Sequence, residues 1–346
     1  MNAIGIVANP ASGKDIRRLV AYATAMDNGD KVNIVRRIIM SLSRTNVDTV
    51  YYMKEYYGII ETALNGMYSQ HKHVADHIRF LPVDTLTLGI ELDTVLAVEA
   101  MRDLGVKCII TLGGDGTNRA VAKRCGDIPL IPISTGTNNV FPSMIEGTIA
   151  GMAAGAYAGG LLPENPDHLI PTKRLEILKN GDVMDIALID AVTLHSTQIA
   201  SRAVWKSDAF DQIFLTCCTG DCIGLSAVGG QLAEVAKEDP CGYYVECGPE
   251  GEILYAPMAP GLMEPVSVTA SRTMAIGEEI PLRTVPCVIA VDGERDITVT
   301  EDSQLSVRLT WNGPKLLNIR QVLRDARKAR LFYAGPNDPK PNNDNL

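Results

Sequence analysis

The sequence has no excess of basic residues and no long apolar run, and no secretion signal is expected; each absence argues against a class of protein. Its 346 residues include 32 Lys and Arg against 41 Asp and Glu, so the net charge is −9. A nucleic acid or an anionic membrane needs a basic surface to neutralise its phosphates, and neither is expected as a partner. No stretch approaches the roughly 20 apolar residues that span a bilayer. Because the start has no basic and apolar leader, we expect a cytoplasmic protein.

Cysteine and histidine also lack the patterns that mark disulfides or metal sites. The eight cysteines have no paired spacing, which favours reduced thiols, and those of segment 217–222 are expected to be packed rather than nucleophilic. His71, His73 and His77 lie close together in sequence. The first two would point to different faces of a helix, and no Cys or carboxylate spacing completes a metal set.

Segment 8–15 lacks the first glycine and the final Ser or Thr of a P-loop.

Short apolar runs alternate with helix-like segments in the first half of the chain. This alternation predicts an α/β domain with a parallel sheet covered by helices on both faces. In such sheets, ligands bind at the loops that leave the carboxyl ends of the strands. The predicted strands are 2–9, 47–53, 77–83, 107–112 and 129–134, and the predicted helices are 31–45, 58–70 and 93–105.

Beyond residue 165 the pattern changes to strands joined by turns, which predicts a mostly antiparallel β domain. Hairpins are expected at Asn180-Gly181 and around 248–251, and further strands at 265–271, 286–294 and 304–311. The chain is therefore divided into an α/β domain that binds nucleotide or phosphate (1–160), a linker (161–172), a β-rich domain (173–314), a C-terminal helix (315–333) that could pack back on the first domain, and a disordered tail (334–346).

The stretch Gly113-Gly114-Asp115-Gly116-Thr117 follows a predicted strand and precedes a helical segment. Glycines accept positive φ and let backbone NH groups approach phosphate oxygens, and a following helix N-terminus favours an anion. Thr117 is expected to cap the helix, with a hydroxyl that could also donate to phosphate. Asp115 would repel phosphate, so its presence suggests a group that orients a metal or accepts a proton. Taken alone, the stretch could also be a tight turn that Asp115 stabilises.

A second polar loop, Thr135-Gly136-Thr137-Asn138-Asn139, follows the next predicted strand. Because the carboxyl ends of neighbouring parallel strands lie at one edge of a sheet, the two loops are expected to flank a single crevice. The residues of this loop would contact phosphates, and Thr137 or Asn138 could also begin a helix. Binding at these loops is therefore favoured over two unrelated turns.

In order and spacing, the two loops resemble those of the superfamily of NAD kinases, diacylglycerol kinases and sphingosine kinases. Asn9-Pro10-Ala11-Ser12-Gly13-Lys14 resembles the N-terminal motif of the lipid-kinase branch. Segment 219–232 is similar to the NAD kinase stretch that contains Leu-Ser-Ala-Gly-Gly, and 291–294 resembles an Asp-Gly turn near the end of both branches. Together the motifs look most like the acetoin-catabolism protein X type of ATP-NAD kinase-like protein, and they span most of the chain.

The resemblance implies a kinase that phosphorylates a hydroxyl of a nucleotide or small metabolite, in acetoin catabolism for the nearest type. It implies ATP or another NTP with Mg²⁺, a small-molecule acceptor and a homo-oligomer. Asp115 would act as base or orient Mg²⁺, whereas Asn9, Ser12 and Asp292 would join the two loops in binding nucleotide. A non-catalytic nucleotide-binding regulator stays open, and so does a lipid kinase, although no membrane-binding stripe supports it.

Three segments depart from the family pattern. Ile189-Asp190 stand where NAD kinases carry an Asn-Glu pair that helps to hold the dinucleotide, and Asn118-Arg119 stand where an apolar residue is usual. Segment 219–224 has lost most of the hydroxyls of its counterpart. The acceptor pocket is therefore expected to differ from that of NAD kinases. Arg119 and Lys123, one helical turn apart, could supply positive charge to the site or simply be solvated.

Overall fold

A seven-stranded sheet forms the core of the first part of the chain in the computed structural model, which describes residues 1–12, 22, 26–70, 77–194, 209–299 and 304–333. The strands lie in the order β3-β2-β1-β4-β5-β17-β6, and all run parallel except β6, which pairs antiparallel with β17. The predicted parallel sheet is thereby confirmed. Its strands are β1 (Ala3–Ala8), β2 (Thr49–Tyr52), β3 (Arg79–Pro82), β4 (Cys108–Gly113), β5 (Leu130–Ser134), β6 (Leu169–Ile170) and β17 (Leu316–Leu317).

Helices cover both faces of this sheet. Four of them, α1, α2, α5 and α7, bury side chains in one core cluster, whereas α3 and α4 bury theirs in another on the opposite face. Val322 and Ala326 of α7 belong to the first cluster, so the C-terminal helix packs on the N-terminal sheet. The helices are α1 (Asn28–Leu42), α2 (Ile59–Gln70), α3 (Glu91–Asp103), α4 (Asp115–Ala122), α5 (Gly147–Ala158), α6 (Leu225–Gly230), which lies among the later strands, and α7 (Ile319–Lys328).

Helix α5 packs very close to α1 because glycines recur at four-residue intervals along the contact, from Gly147 to Gly159. A Cβ atom on Gly151 would lie 2.1 Å from Ser41 Oγ and 2.6 Å from the carbonyl oxygen of Ile38. A larger residue therefore requires the two helices to separate. No element was predicted for this run of small residues, and its glycine spacing is the signal that indicates a helix.

The segment predicted as a linker is part of the packed structure. It contains a 3-10 turn, Pro166–His168, and strand β6, which joins the edge of the seven-stranded sheet. The His168 Nε2 atom lies 3.1 Å from an Asp325 carboxylate oxygen of α7. This contact joins the segment before β6, the edge strand of the sheet, to α7.

Two antiparallel sheets form the rest of the described chain, as predicted. One has the order β12-β11-β10-β9-β14-β15 and the other β13-β16-β7-β8. Phe214 and Ile289 of the first sheet share a buried core with Leu175 and Val307 of the second. No described helix is both long and apolar enough to cross a membrane. The strands are β7 (Arg174–Lys179), β8 (Asp182–Ala187), β9 (Asp190–Leu194), β10 (Phe210–Leu215), β11 (Cys241–Ala259), β12 (Leu262–Ala275), β13 (Glu279–Pro281), β14 (Cys287–Val291), β15 (Glu294–Val299) and β16 (Leu305–Thr310).

The two predicted hairpins differ in outcome. Asn180-Gly181 forms the turn between β7 and β8, with φ of 55° and 89°, but the following run divides into β8 and β9, which belong to different sheets. The hairpin predicted around 248–251 was wrong. Strand β11 continues through this segment as a bulge, because Cys247 and Glu252 both pair with Val268 of β12.

Candidate functional site

Three loops meet at the carboxyl edge of the seven-stranded sheet, after β1, β4 and β5. The Asn9 side-chain amide donates to Thr117 Oγ1 at 2.9 Å, which joins the first loop to the glycine-rich loop. Ser12 Oγ and Thr135 Oγ1 lie 2.9 Å apart, which joins the first loop to the third. Asn9, Ser12, Thr117 and Thr135, predicted from separate motifs, are therefore direct neighbours.

Asp115 joins the glycine-rich loop to the third loop. Its carboxylate accepts hydrogen bonds from the backbone NH groups of Val140, at 3.1 and 3.2 Å, and Phe141, at 2.8 Å. The carboxylate therefore holds the end of the third loop against the start of α4. Gly114 is closely packed there, because a Cβ on it would lie 2.6 Å from Asn139 Oδ1.

The helix boundaries at both loops differ from the predictions. Helix α4 begins at Asp115 with Gly114 as its N-cap, so the prediction of Thr117 as N-cap was wrong. Thr117 lies inside the first turn, and its hydroxyl binds Asn9 instead. The prediction of a helix start at Thr137 or Asn138 was also wrong, because the next helix begins at Gly147.

The third loop presents polar groups of different exposure. Thr135 is buried, whereas Thr137 is exposed and donates to Asn138 Oδ1 at 3.2 Å. The Asn139 side-chain amide donates to Ser134 Oγ at 2.8 Å, which fixes its orientation in the loop. Gly136 accepts from the Ser134 hydroxyl at 2.8 Å through its carbonyl oxygen. The loop is thus held by internal hydrogen bonds and exposes Thr137 at its tip.

Lys31 of α1 was not predicted as a site residue. Its buried ammonium donates to the carbonyl oxygens of Asn9, at 2.8 Å, and Ser12, at 3.0 Å. These bonds place a cation directly beneath the first loop. The sequence signal is its register, because Lys31 shares the buried face of α1 with Val35, Ile38 and Leu42.

Asp292 lies in the turn between β14 and β15, with a φ of 47°, and its side chain is fully buried. The carboxylate accepts from the backbone NH groups of Leu188, Ile189 and Asp190 at 2.8 to 3.3 Å. Burial raises the pKa of Asp292 to about 6. The Arg119 guanidinium lowers this pKa, whereas the negative charge of Asp115 raises it further. The Asp115 charge thus acts on the Asp292 carboxyl. The hydrogen bonds of Asp292, however, hold segment 188–190 rather than the three loops.

Arg119 and Lys123 form ion pairs, contrary to the expectation that they would be solvated or would face phosphate. The Arg119 guanidinium is buried and contacts Glu91 at 3.0 Å, Asp185 at 3.1 Å and Asp292 at 4.0 Å. Lys123 contacts Glu91 at 2.8 Å and Asp185 at 2.9 Å. These cations bind protein carboxylates, so in this structure they do not serve as the phosphate-binding charge.

Two family models match this chain. One describes an ATP-NAD kinase N-terminal domain and covers residues 4–160, and the other describes an acetoin catabolism protein X C-terminal domain and covers 173–312. Acetoin catabolism protein X of Cupriavidus necator is 36% identical over 345 residues, which cover 96% of this chain and 94% of that protein. The chain belongs to the acetoin catabolism protein X family. The crystal structure of yeast NADH kinase complexed with NADH covers 98% of this chain and 90% of its own, at 12% identity and a TM-score of 0.47, a likeness too small to carry an argument.

The structure explains two departures of this acetoin catabolism protein X family member from the kinase motifs. Asn118 is buried, accepts from Thr111 Oγ1 at 2.6 Å and donates to the Gly114 carbonyl oxygen at 2.8 Å. Ile189 is buried in an apolar cluster with Phe141, Leu188 and Cys217. Asn118 thus stabilises the glycine-rich loop through its hydrogen bond to Gly114, and the Ile189 side chain is packed in the protein interior.

The remaining candidates carry no site in the described chain. Cys217 and Cys218 are buried, and burial raises their pKa values to about 11 and about 12, which fits packed thiols rather than nucleophiles. No group of three or more His, Cys, Asp or Glu side chains in the described ranges could hold a metal ion. His71, His73 and the tail 334–346 lie outside the described residues.

Proposed function

We propose that the chain binds a nucleoside triphosphate at the three loops and transfers its γ-phosphoryl group to a hydroxyl of a small acceptor. The observation that carries this proposal is the convergence of the loops, joined by the hydrogen bonds of Asn9 with Thr117, Ser12 with Thr135, and Asp115 with Phe141. Loops of this composition at the carboxyl edge of a parallel sheet suit phosphate binding.

Backbone groups and one buried cation would bind the phosphates. The first turn of α4, from Asp115, has backbone NH groups that lack intrahelical partners, and the helix dipole adds partial positive charge at the same end. Lys31 beneath the first loop contributes a full positive charge. Gly113, Gly114 and Gly116, with Thr137 and its neighbours Gly136, Asn138 and Asn139, would form the walls of the phosphate site.

Asp115 would accept the proton of the acceptor hydroxyl. Its carboxylate is held in place by the NH groups of Val140 and Phe141, and a fixed carboxylate beside a phosphate site can act as a general base. Mg²⁺ would enter with the nucleotide and neutralise phosphate charge, because such ions are commonly held by one or two carboxylates together with phosphate oxygens. This binding mode fits described residues that contain no cluster of three or more metal-binding side chains.

The acceptor would be a small hydroxylated metabolite rather than NAD. Ile189 is 2% exposed and lies in an apolar cluster, so it offers no hydrogen bond where NAD kinases are expected to use an amide. The name of the Cupriavidus relative links that protein to acetoin catabolism, and a hydroxylated metabolite of that catabolism is the acceptor class proposed. A cytoplasmic homo-oligomer remains a prediction.

A regulator that binds nucleotide without turnover is the second candidate. The observation that favours it is the use of Asp115 as a backbone anchor between two loops. That role alone would account for an aspartate at this position. The two candidates differ only in whether bound nucleotide is consumed.

The test combines calorimetric binding of MgATP with ADP release in the presence of NAD, diacylglycerol or small hydroxylated metabolites such as acetoin. Asp115→Asn keeps an oxygen that can accept from Phe141 but removes the base. We expect it to bind MgATP and to lose roughly 10²- to 10⁴-fold in turnover. Asp127→Asn, at an exposed carboxylate paired with Lys315, is the matched control.

Each outcome distinguishes the candidates. Turnover that is retained in Asp127→Asn and lost in Asp115→Asn supports the kinase. Tight MgATP binding without turnover for any acceptor supports the regulator. Failure to bind MgATP or any other nucleoside triphosphate would contradict both.

A further inference from the structure

Arg119 is a buried cation that lies one turn after Asp115 on α4. Residues four apart on a helix lie on the same face, so the helix presents a carboxylate and a guanidinium side by side. The Arg119 side chain is 1% exposed. A guanidinium buried to this degree is stable only when its charge is paired.

The partners of Arg119 come from three distant segments. Glu91 belongs to α3, Asp185 to β8 and Asp292 to the turn after β14, at 3.0, 3.1 and 4.0 Å respectively. Asp185 lies in a strand of one antiparallel sheet and Asp292 in a turn between two strands of the other, whereas α4 packs on the parallel sheet. Arg119 therefore fixes the helix that carries Asp115 to the β-rich part of the chain.

The contacts of Arg119 close a circuit that returns to Asp115. Asp292 accepts from the Ile189 NH group at 2.8 Å, and the Ile189 side chain shares a buried apolar cluster with Phe141. The Phe141 NH group donates to Asp115 at 2.8 Å, and Asp115 lies on the same helix as Arg119. Five residues thus form a closed path, here called the Asp115 circuit.

We propose that Arg119 is a positioning residue that acts through the Asp115 circuit to set the place of the Asp115 carboxylate against the third loop. It does so by holding Asp292, and through Asp292 segment 188–190, against Phe141. The inference rests on the proposed function for what Asp115 does, but the circuit itself can be tested without nucleotide.

The first arm of the experiment measures amide hydrogen exchange of the full chain without nucleotide. In Arg119→Met we expect exchange to rise about tenfold or more at 188–190 and also at 140–141, because a carboxylate left buried without its cation is strongly destabilised. Lys123→Met is the matched control, since Lys123 shares Glu91 and Asp185 with Arg119. We expect it to leave both segments within about twofold of the wild type.

The second arm separates nucleotide binding from turnover. Arg119 contacts carboxylates rather than the phosphate loops, so Arg119→Met should leave the Kd for MgATP within about threefold of the wild type. Turnover should fall about tenfold or more, because a small displacement of a reacting group greatly lowers the rate. Arg119→Lys keeps the charge and should restore part of the protection from hydrogen exchange and part of the turnover. If Arg119→Met does not fold, Arg119→Lys alone carries the test, since one ammonium cannot reach three carboxylates as the guanidinium does.

Several results would overturn the inference. In Arg119→Met, hydrogen exchange could stay unchanged, or it could rise at 188–190 without rising at 140–141. Lys123→Met could change exchange as much as Arg119→Met does, or Arg119→Met could lose as much MgATP affinity as turnover. A wild-type protein that does not bind MgATP would refute the proposed function instead, and the exchange arm would still decide the Asp115 circuit.

Discussion

Replacing Asp292 by Asn removes a buried carboxylate whose ionisation opposes folding. Burial raises the pKa of Asp292 from 3.8 to about 6, although Arg119 and the backbone NH groups of Leu188 and Ile189 lower it. The folded protein therefore keeps a proton on Asp292 at a pH where the unfolded chain has lost it. Asn keeps an oxygen that can accept from Ile189, but it does not ionise.

The expected magnitude follows from linkage. Each pKa unit corresponds to about 1.4 kcal/mol, so the gap between 3.8 and about 6 is worth about 3 kcal/mol. Because the folded pKa is the higher one, this stabilisation is complete below about pH 4, is lost as the pH rises to about 6, and changes no further above that. The sign is opposite for Glu176, whose pKa is lowered, despite its burial, by hydrogen bonds from Arg174 and Arg308.

The assay is urea unfolding of wild type and Asp292→Asn between pH 4 and pH 8. Over the assayed range the wild type should lose about 2 kcal/mol relative to the variant, most of it between pH 4 and pH 6, because part of the total of about 3 kcal/mol lies below pH 4. The comparison isolates Asp292, since all other titrating groups are common to both proteins. Asp127→Asn, at an exposed position, should differ from wild type by less than about 1 kcal/mol throughout. A difference between Asp292→Asn and wild type that does not vary with pH, or that moves in favour of the wild type as the pH rises, would refute the reasoning.

Three further predictions concern packing, thiols and the loop support. Gly151→Ala should lower the free energy of unfolding, measured in urea, by about 1–3 kcal/mol, because the added Cβ meets the Ile38 carbonyl oxygen. A Cβ on Gly220 would have nothing within 4 Å, so Gly220→Ala should lower the free energy of unfolding by less than about 1 kcal/mol. In the native protein a thiol reagent such as DTNB at pH 8 should label Cys222 and Cys241 first, because the other cysteines are buried; equal labelling of all eight would contradict this. Asn118→Leu, which restores an apolar residue, should destabilise the fold by about 1–3 kcal/mol because it leaves the buried Thr111 hydroxyl without its acceptor, and adding Thr111→Val should recover part of that loss.

Local sequence patterns predicted most of the fold. Apolar runs and helical spacing placed β1, β4, β5 and α1 to α3 within a few residues, since these strands are buried along their whole length and the helices bury one face. Errors arose where a neighbour outside the local window decides the structure. Residues 182–194 have the pattern of one strand, but Asp292 holds the NH groups of 188–190 and the chain changes sheets there. The bulge at 248–251 likewise depends on its pairing with Val268 of β12.

For the candidate site, the sequence indicated which residues to consider but not which of them contact one another. The residues of the two loops after β4 and β5 were named because such loops need residues without side-chain obstruction and with short polar groups. Asn9 and Ser12 of the first loop were named from the resemblance to the lipid-kinase motif. The place of Thr117 was misassigned because Gly114, which has no side chain to donate or accept, caps the helix. Lys31 was missed because a lysine among apolar residues is usually exposed, whereas here the carbonyl groups of the first loop accept hydrogen bonds from its buried ammonium.

The sequence by itself determined the class of this protein, because alternation of apolar runs and glycine-rich turns limits the chain to a parallel sheet with binding loops at its carboxyl edge. Only the tertiary structure decided the role of the charged residues. Arg119 and Asp292 are 173 positions apart in sequence, and nothing local relates them. Their pairing follows from burial, since a charge removed from water needs a partner that the chain can supply only once its sheets have come together.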